Sequence, residues 1–98
     1  MTPRLFVRDE AAGDIAAAAR WYDEQRSGLG SEYTRAIRAQ LAAIEREPRL
    51  FRVVRDDVQR ALVRRFPYAI YFRVDNNDVI VFARLHQRRD PTVWQSRG

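Results

Sequence analysis

The sequence predicts a single α+β domain over residues 1–98, with helices in the first half and strands in the second. Apolar residues recur at helical spacing between residues 9 and 47. β-Branched and aromatic residues are concentrated between residues 58 and 86. The length of 98 residues is enough for one modest core. We therefore expect an N-terminal strand, an antiparallel helical hairpin, a mainly antiparallel sheet of three or four strands and a short C-terminal segment.

The first half of the chain is predicted to form a strand and two helices. Thr2 to Val7 has the composition of a strand, and Asp9 is placed to cap a helix. The segment from Ser27 to Gly30 ends that helix, because glycine readily adopts the left-handed conformation. Ser31 is expected to cap a second helix, which Pro48 stops. The apolar stripes are Ala12, Ile15, Ala16, Ala19 and Tyr22 in the first helix, and Tyr33, Ile37, Leu41 and Ile44 in the second.

The second half predicts three strands, at Val58–Phe66, Tyr68–Val74 and Asp78–Leu85, after a connecting loop that contains Leu50, Phe51 and Val53. Asn76 and Asn77 are expected to form a two-residue hairpin loop, since asparagine tolerates positive φ. This loop sets which residues of the two strands lie opposite each other. On one face of the hairpin every such pair is apolar or aromatic, so we expect that face to be buried in the core. The pairs are Val74 with Val79, Phe72 with Val81, Ile70 with Ala83, and Tyr68 with Leu85.

The opposite face of the sheet is predicted to be basic and aromatic. In the strand from residue 58, we favour the register that directs Ala61 and Val63 inward, because the other register would bury Arg60 and Arg64. Exposed aromatic rings beside arginines suit the recognition of a partner. Outward arginines on a sheet can equally be a solvated surface without a partner. The predicted outer face carries Arg60, Arg64, Tyr71, Arg73, Arg84 and His86.

Composition narrows the classes of function. The net charge of +5 and the pI near 10.6 indicate acidic partners, either nucleic acid or an acidic protein segment. All 18 lysine or arginine residues are arginine. The guanidinium group can bind a phosphate or a carboxylate through two parallel hydrogen bonds, although codon usage alone could produce this bias. The absence of cysteine and the single histidine argue against disulfides and metal sites, and no cofactor motif is present. No apolar run could span a bilayer, so we expect a cytoplasmic protein without a membrane partner.

Five features follow one another along the chain in a specific order. They are the pair Trp21-Tyr22, the GLG turn at Gly28–Gly30, a helix ending at Pro48, the segment RRFPYAIYFRV and the final HQRRDPTVW. In this order the chain resembles the ParE branch of the RelE/ParE toxins of bacterial toxin–antitoxin modules. The resemblance implies the fold predicted above. It also implies a cognate antitoxin with an acidic, partly disordered segment, a hetero-oligomeric complex, and contact with operator DNA through the antitoxin.

The resemblance leaves two targets open. ParE-like members are best known for inhibiting DNA gyrase, whereas RelE-like members cut mRNA on the ribosome. The segment after His86 has no tyrosine, and the chain has no lysine, so we favour a gyrase inhibitor that acts by binding and has no catalytic residues. The residues expected to contact the target or the antitoxin are Arg60, Arg64, Tyr71, Arg73, Arg84, His86, Arg88, Arg89 and Trp94.

The alternative is an endoribonuclease in which Arg64, Arg84 and His86 act on a phosphodiester. Histidine exchanges protons near neutral pH, and arginines stabilise the charge that develops on the phosphate. A third interpretation is a family member that no longer poisons anything and only forms a repressor complex with its antitoxin.

Overall fold

The computed structural model describes residues 4–87. Two helices cover one face of a five-stranded sheet whose strand order is β1-β5-β4-β3-β2. β1 runs parallel to β5, and the other neighbouring strands are antiparallel. The elements are β1 (Arg4–Val7), α1 (Asp9–Gln25), α2 (Leu29–Arg46), a 3-10 helix (Pro48–Leu50), β2 (Arg52–Arg55), β3 (Val58–Leu62), β4 (Tyr68–Asp75) and β5 (Asp78–His86). The predicted α+β class and helical hairpin are confirmed.

The sheet has five strands because residues 52–55 form the edge strand β2 instead of the predicted loop. A buried glutamine holds the approach to this strand. The Gln59 side-chain amide donates to the carbonyl oxygens of Pro48 and Phe51 at 2.7 and 3.0 Å. Leu50 and Val53, both placed in that predicted loop, are largely exposed. The sequence of β2, RVVR, is short and half charged, so propensity alone did not distinguish it from a loop.

The helix starts differ from the predictions at both caps. Arg8 occupies the cap position of α1, and Asp9 is already inside the helix. α2 begins at Leu29 after Gly28, whose φ is +89°, and Ser31 lies within the helix. The carboxylate of Asp23 accepts a hydrogen bond of 2.8 Å from the Gly30 backbone amide. The cap of α2 is therefore supplied by α1, which ties the two helices together at their turn.

The core lies between the helices and the facing side of the sheet. The predicted stripe of α2 is confirmed, with Tyr33, Ile37 and Ile44 buried. The stripe of α1 is rotated from the prediction, because Ala12 and Ala16 are exposed. Its core-facing members are Ala11, Ile15, Ala18, Ala19 and Tyr22. The favoured register of β3 is confirmed, with Ala61 and Val63 buried in the core.

The β4–β5 hairpin matches the predicted register near its turn and departs from it further away. Asn76 and Asn77 have φ values of 48° and 71°, as the two-residue loop requires. The predicted pairs Val74–Val79 and Phe72–Val81 are confirmed. Beyond them Tyr71 pairs with Ala83, so Phe82 is an extra residue in β5 and forms a β-bulge. The predicted pairs Ile70–Ala83 and Tyr68–Leu85 are wrong, since Ile70 faces Arg84 and Tyr68 faces His86.

Candidate functional site

The bulge at Phe82 reverses the side of the sheet on which the end of β5 presents its residues. Arg84 was predicted on the outer face, but it faces the helices and is only 9% exposed. His86 follows on the same side at the exposed end of the strand. Ala83 and Leu85, predicted to point into the helix-covered core, lie on the outer side. The predicted outer surface is thus divided between two faces of the sheet.

Arg84 is held by contacts from two elements, β4 and α1. Its guanidinium carbon lies 4.1 Å from the centroid of the Tyr68 ring in β4. Its Nη2 donates a 2.9 Å hydrogen bond to the Asp14 carbonyl oxygen in α1. Its Nε is buried and has no hydrogen-bond partner among the described residues. Stacking and charge-assisted hydrogen bonding offset part of the cost of burying this charge, so Arg84 connects β5 to the helical layer.

An aromatic cluster surrounds this arginine, and its members come from both helices and from β4. The ring centroids of Tyr22 and Tyr33 are 5.2 Å apart, and Tyr68 lies 6.4 and 5.7 Å from them. Trp21 packs edge-on against Tyr22 at 5.1 Å and is 54% exposed. The His86 ring packs edge-on against Tyr68 at 5.9 Å. Trp21 and His86 therefore lie at the exposed edge of the cluster.

Burial controls the protonation of two of these tyrosines. Burial raises the pKa of Tyr33 to about 12, against the opposing charge of Arg84. Burial also raises the pKa of Tyr22, and the Tyr68 hydroxyl, 3.5 Å away, adds to this effect. Both phenols therefore stay protonated near neutral pH and do not act as general bases there.

The outer face of the sheet has its own apolar cluster. Tyr71, predicted to be exposed, is only 4% exposed. Arg73 lies with its guanidinium carbon 5.4 Å from the centroid of the buried Phe82 ring. Arg60 is partly exposed opposite Tyr71. The cluster comprises Val58, Ala69, Tyr71, Phe82, Ala83 and Leu85, with Val54 packed against it.

Arg64 lies apart from the other predicted site residues. It is exposed after β3 and lines a groove between α2 and the β3–β4 turn. Arg35 and Arg65 line the same groove, and neither was among the predicted site residues. The exposed side of α2, opposite its core stripe, was a sequence signal for Arg35. No sequence signal brought Arg65 next to it, because that contact depends on how the turn packs. Arg88, Arg89 and Trp94 lie outside the described residues.

Within residues 4–87, no group of three or more histidine, cysteine, aspartate or glutamate side chains is placed to hold a metal ion. No helix in this range is long and apolar enough to cross a membrane.

The geometry defines a small basic α+β domain with two candidate binding regions. One is the outer face of the sheet, and the other is the groove beside α2. A family model described as "ParE toxin of type II toxin-antitoxin system, parDE" matches residues 5–91, and the chain belongs to this family. The resemblance inferred from the sequence motifs is thereby confirmed.

Comparison with solved structures agrees with this assignment at the level of the fold. The chain is similar to a protein described as "Chromosomal ParDE TA system from P. aeruginosa", with a TM-score of 0.77 and 16% sequence identity. The match covers 87% of this chain and 96% of the other. At this identity the likeness shows a shared architecture, and function has to be argued from the site. No curated protein matches the sequence.

Proposed function

We propose that the protein is a toxin that inhibits DNA gyrase by binding and that a cognate antitoxin neutralises it. Membership of the ParE toxin family supports the toxin role. The placement of Arg84 carries the choice of a binding mechanism over a catalytic one. This guanidinium is buried, stacked on Tyr68 and bonded to the Asp14 carbonyl, so it is committed to the interior of the protein.

The ribonuclease alternative requires Arg64, Arg84 and His86 to converge on one phosphodiester. Arg64 instead lines the groove beside α2, and Arg84 is buried beneath α1. A catalytic cation has to reach the phosphate oxygens at hydrogen-bond distance. This separation weakens the alternative, although His86 itself is exposed at the end of β5.

Arginines that remain accessible support binding to an acidic antitoxin segment. Arg60 is partly exposed on the outer face of the sheet, and Arg73 is partly exposed above Phe82. The net charge of +5 favours association with a partner of opposite charge. In this proposal the complex is a hetero-oligomer that reaches operator DNA through the antitoxin.

Gyrase supercoiling with the purified toxin tests the proposal. We expect inhibition of supercoiling and accumulation of cleaved DNA, and we expect both to be reversed by the antitoxin from the adjacent reading frame. A parallel assay measures cleavage of ribosome-bound mRNA. If supercoiling is untouched while mRNA is cut, the toxin is an endoribonuclease. If neither activity appears and expression without antitoxin is harmless, the chain is a non-toxic member that serves in repression.

A further inference from the structure

The outer face of the sheet is buried at its centre, although the helices lie on the other side. Tyr71 is only 4% exposed there, and Phe82 and Ala83 have no exposed surface. Within residues 4–87, neither helix contributes a residue to the cluster that these side chains form. Large side chains on a sheet are buried to this extent only when a further layer of protein packs over them.

The sequences of the two central strands also indicate burial on both sides. β4 contains the apolar run YAIYF, and β5 contains the run VIVFA. An antiparallel strand with one solvated face alternates apolar and polar residues, whereas a near-continuous apolar run is typical of a strand that is covered on both faces. The run in each strand therefore agrees with a second cover, opposite the helices.

Outlying residues of the same face show how exposed it is without a cover. Phe6 in β1 pairs with Ile80 and is 45% exposed. Leu62 in β3 pairs with Ala69 and is 49% exposed. Both side chains are apolar and lie on the same side of the sheet as Tyr71. The cover is therefore confined to the centre of the face.

Residues 88–98 begin beside this surface and are long enough to cross it. Gln87 fixes the start of the segment, because its amide donates to the Pro67 carbonyl at 2.9 Å. Leu85, two residues earlier, belongs to the buried cluster. The 11 residues span about 36 Å when extended. Crossing from β5 over β4 and β3 to β2 takes about 14 Å.

Residues 1–3 do not fit the same place. They precede Arg4, which pairs with Asp78 at the turn end of β5. Ala83, in the buried cluster, lies about 17 Å further along that strand. Three extended residues reach only about 10 Å.

The C-terminal segment carries the apolar side chains that such a cover needs. Its sequence is RRDPTVWQSRG, in which Trp94 is the largest side chain. A tryptophan buries about 150–250 Å² when it is packed, and it gains further from edge contacts with aromatic rings such as those of Tyr71 and Phe82. The apolar residues of the segment are Pro91, Val93 and Trp94.

We propose that residues 88–98 fold back over the outer face of the sheet as a third layer, with Trp94 packed on Tyr71 and Phe82. The segment then shields the apolar centre of the face from water and from other proteins. In this arrangement Trp94 belongs to the core of the toxin, in place of the contact with a target or antitoxin that the sequence predicted.

This third layer changes what a partner meets on the outer face. Arg60 and Arg73 are both partly exposed on this side of the sheet. With the centre covered, these arginines form the rim of the covered area. A partner that approaches from this side therefore meets a basic rim and the C-terminal segment, and no open apolar surface.

Tryptophan fluorescence tests the packing of Trp94 in the full-length protein. The chain has two tryptophans, so Trp21→Phe leaves Trp94 as the single reporter. We expect its emission maximum to lie at a shorter wavelength than in the denatured chain, and acrylamide to quench it several-fold less, because a packed indole is shielded from water. Trp94→Phe is the reciprocal control, since it reports the half-exposed Trp21. Emission and quenching of Trp94 equal to those of the denatured chain would overturn the proposal.

Paramagnetic broadening tests where the segment lies. The chain has no cysteine, so a nitroxide label can be attached to a single introduced one. Arg60→Cys places the label on the outer face, and Arg38→Cys places it on the exposed side of α2. We expect the label at position 60 to broaden the indole resonance of Trp94 much more strongly than the label at position 38. Equal broadening, or the reverse order, would place the segment elsewhere.

Thermal unfolding tests whether the contact stabilises the fold. Trp94→Ala should lower the unfolding midpoint by about 10 °C or more, because it removes a large buried side chain from a small domain. Gln95→Ala, at the next residue, is the control and should shift the midpoint by less than about 4 °C. Equal shifts in the two variants would contradict the packing of Trp94.

Dilution distinguishes this arrangement from a cover that a second copy of the chain supplies. Packing within one chain predicts a Trp94 emission maximum that does not change with protein concentration, in a toxin that sediments as a monomer. Emission that moves to the denatured value on dilution would assign the cover to a second copy and overturn the proposal. None of these measurements uses gyrase or the antitoxin, so their outcome is separate from that of the proposed function.

Discussion

The guanidinium carbon of Arg84 in β5 lies 4.1 Å from the ring centroid of Tyr68 in the neighbouring strand β4. This stack exists because Phe82 forms a bulge, which turns Arg84 toward the helices and places it opposite Ile70. The same guanidinium donates to the Asp14 carbonyl in α1. One side chain therefore links the helical layer to the centre of the sheet.

Arg84→Ala should lower the free energy of unfolding by about 2–3 kcal/mol, because it removes a charge-assisted hydrogen bond and a cation–π contact. Arg84→Met keeps much of the side-chain volume and removes the buried charge, so its loss should stay below about 1 kcal/mol. Urea denaturation measures both. Arg49→Ala, at an exposed site, is the control and should stay within about 0.5 kcal/mol of wild type. An Arg84→Ala protein as stable as that control would contradict the structural role.

Gly30→Ala should destabilise the helical hairpin by about 1–3 kcal/mol, because the first turn of α2 packs too closely on α1 to leave room for a methyl group. A Cβ at this position would meet the Ala19 carbonyl oxygen and lie 2.7 Å from the Asp23 carboxylate that caps α2. Gly13→Ala is the matched control, since nothing lies within 4 Å of its Cβ. That change should stabilise the exposed part of α1 by about 0.5–1 kcal/mol. Thermal unfolding that shifts the same way in both variants would refute the close packing.

Tyr33→Phe should stabilise the protein by about 1 kcal/mol at neutral pH, because the buried Tyr33 hydroxyl has no hydrogen-bond partner among the described residues. Tyr22→Phe is the control and should bring no gain, since its hydroxyl contacts that of Tyr68. Denaturant midpoints at neutral pH compare the two. A loss of stability in Tyr33→Phe would mean that this hydroxyl is bonded in solution.

Burial of Tyr33 should also make the free energy of unfolding depend on pH above about pH 10. The pKa of Tyr33 rises from 10.0 to about 12 on folding, so the folded state holds this proton more tightly than the unfolded chain. Its contribution to stability is complete below the unfolded pKa near 10 and is lost as the pH rises through about 12. Denaturation series across this window should show a smaller loss in Tyr33→Phe than in wild type. Equal losses in the two proteins would assign the pH dependence to other groups.

His86→Ala distinguishes binding from catalysis. Loss of a general acid or base lowers a rate by about 100-fold or more, whereas loss of one contact at an interface edge has a much smaller effect. We expect growth inhibition without antitoxin to persist, with the inhibitory concentration in the supercoiling assay rising less than about tenfold. Gln87→Ala, at the next exposed position, is the control. The ribonuclease interpretation would be restored if the wild-type toxin cuts mRNA and a folded His86→Ala toxin neither cuts it nor arrests growth.

Much of the fold was accessible from periodicity and turn chemistry. The α2 stripe, the Asn76–Asn77 loop and the inward register of Ala61 and Val63 were all predicted, since each depends on residues close in sequence. β2 was missed because its pairing with β3 comes from tertiary contacts around the buried Gln59. The cap of α2 was misplaced because the helix takes it from Asp23, seven residues before Gly30.

The sequence by itself determined the family, the helical hairpin, the core face near the β4–β5 turn and the excess of positive charge. Only the tertiary structure decided where the arginines lie. A bulge leaves no mark in an alternating pattern, because a one-residue shift still pairs apolar side chains such as Ala83 and Leu85 with apolar neighbours. Burial of Arg84 was not predicted, since the Tyr68 ring and the Asp14 carbonyl that offset its cost are distant from it along the chain. Arg35 and Arg65 line one groove for a similar reason. They are distant along the chain, and only the packing of α2 against the β3–β4 turn brings them together.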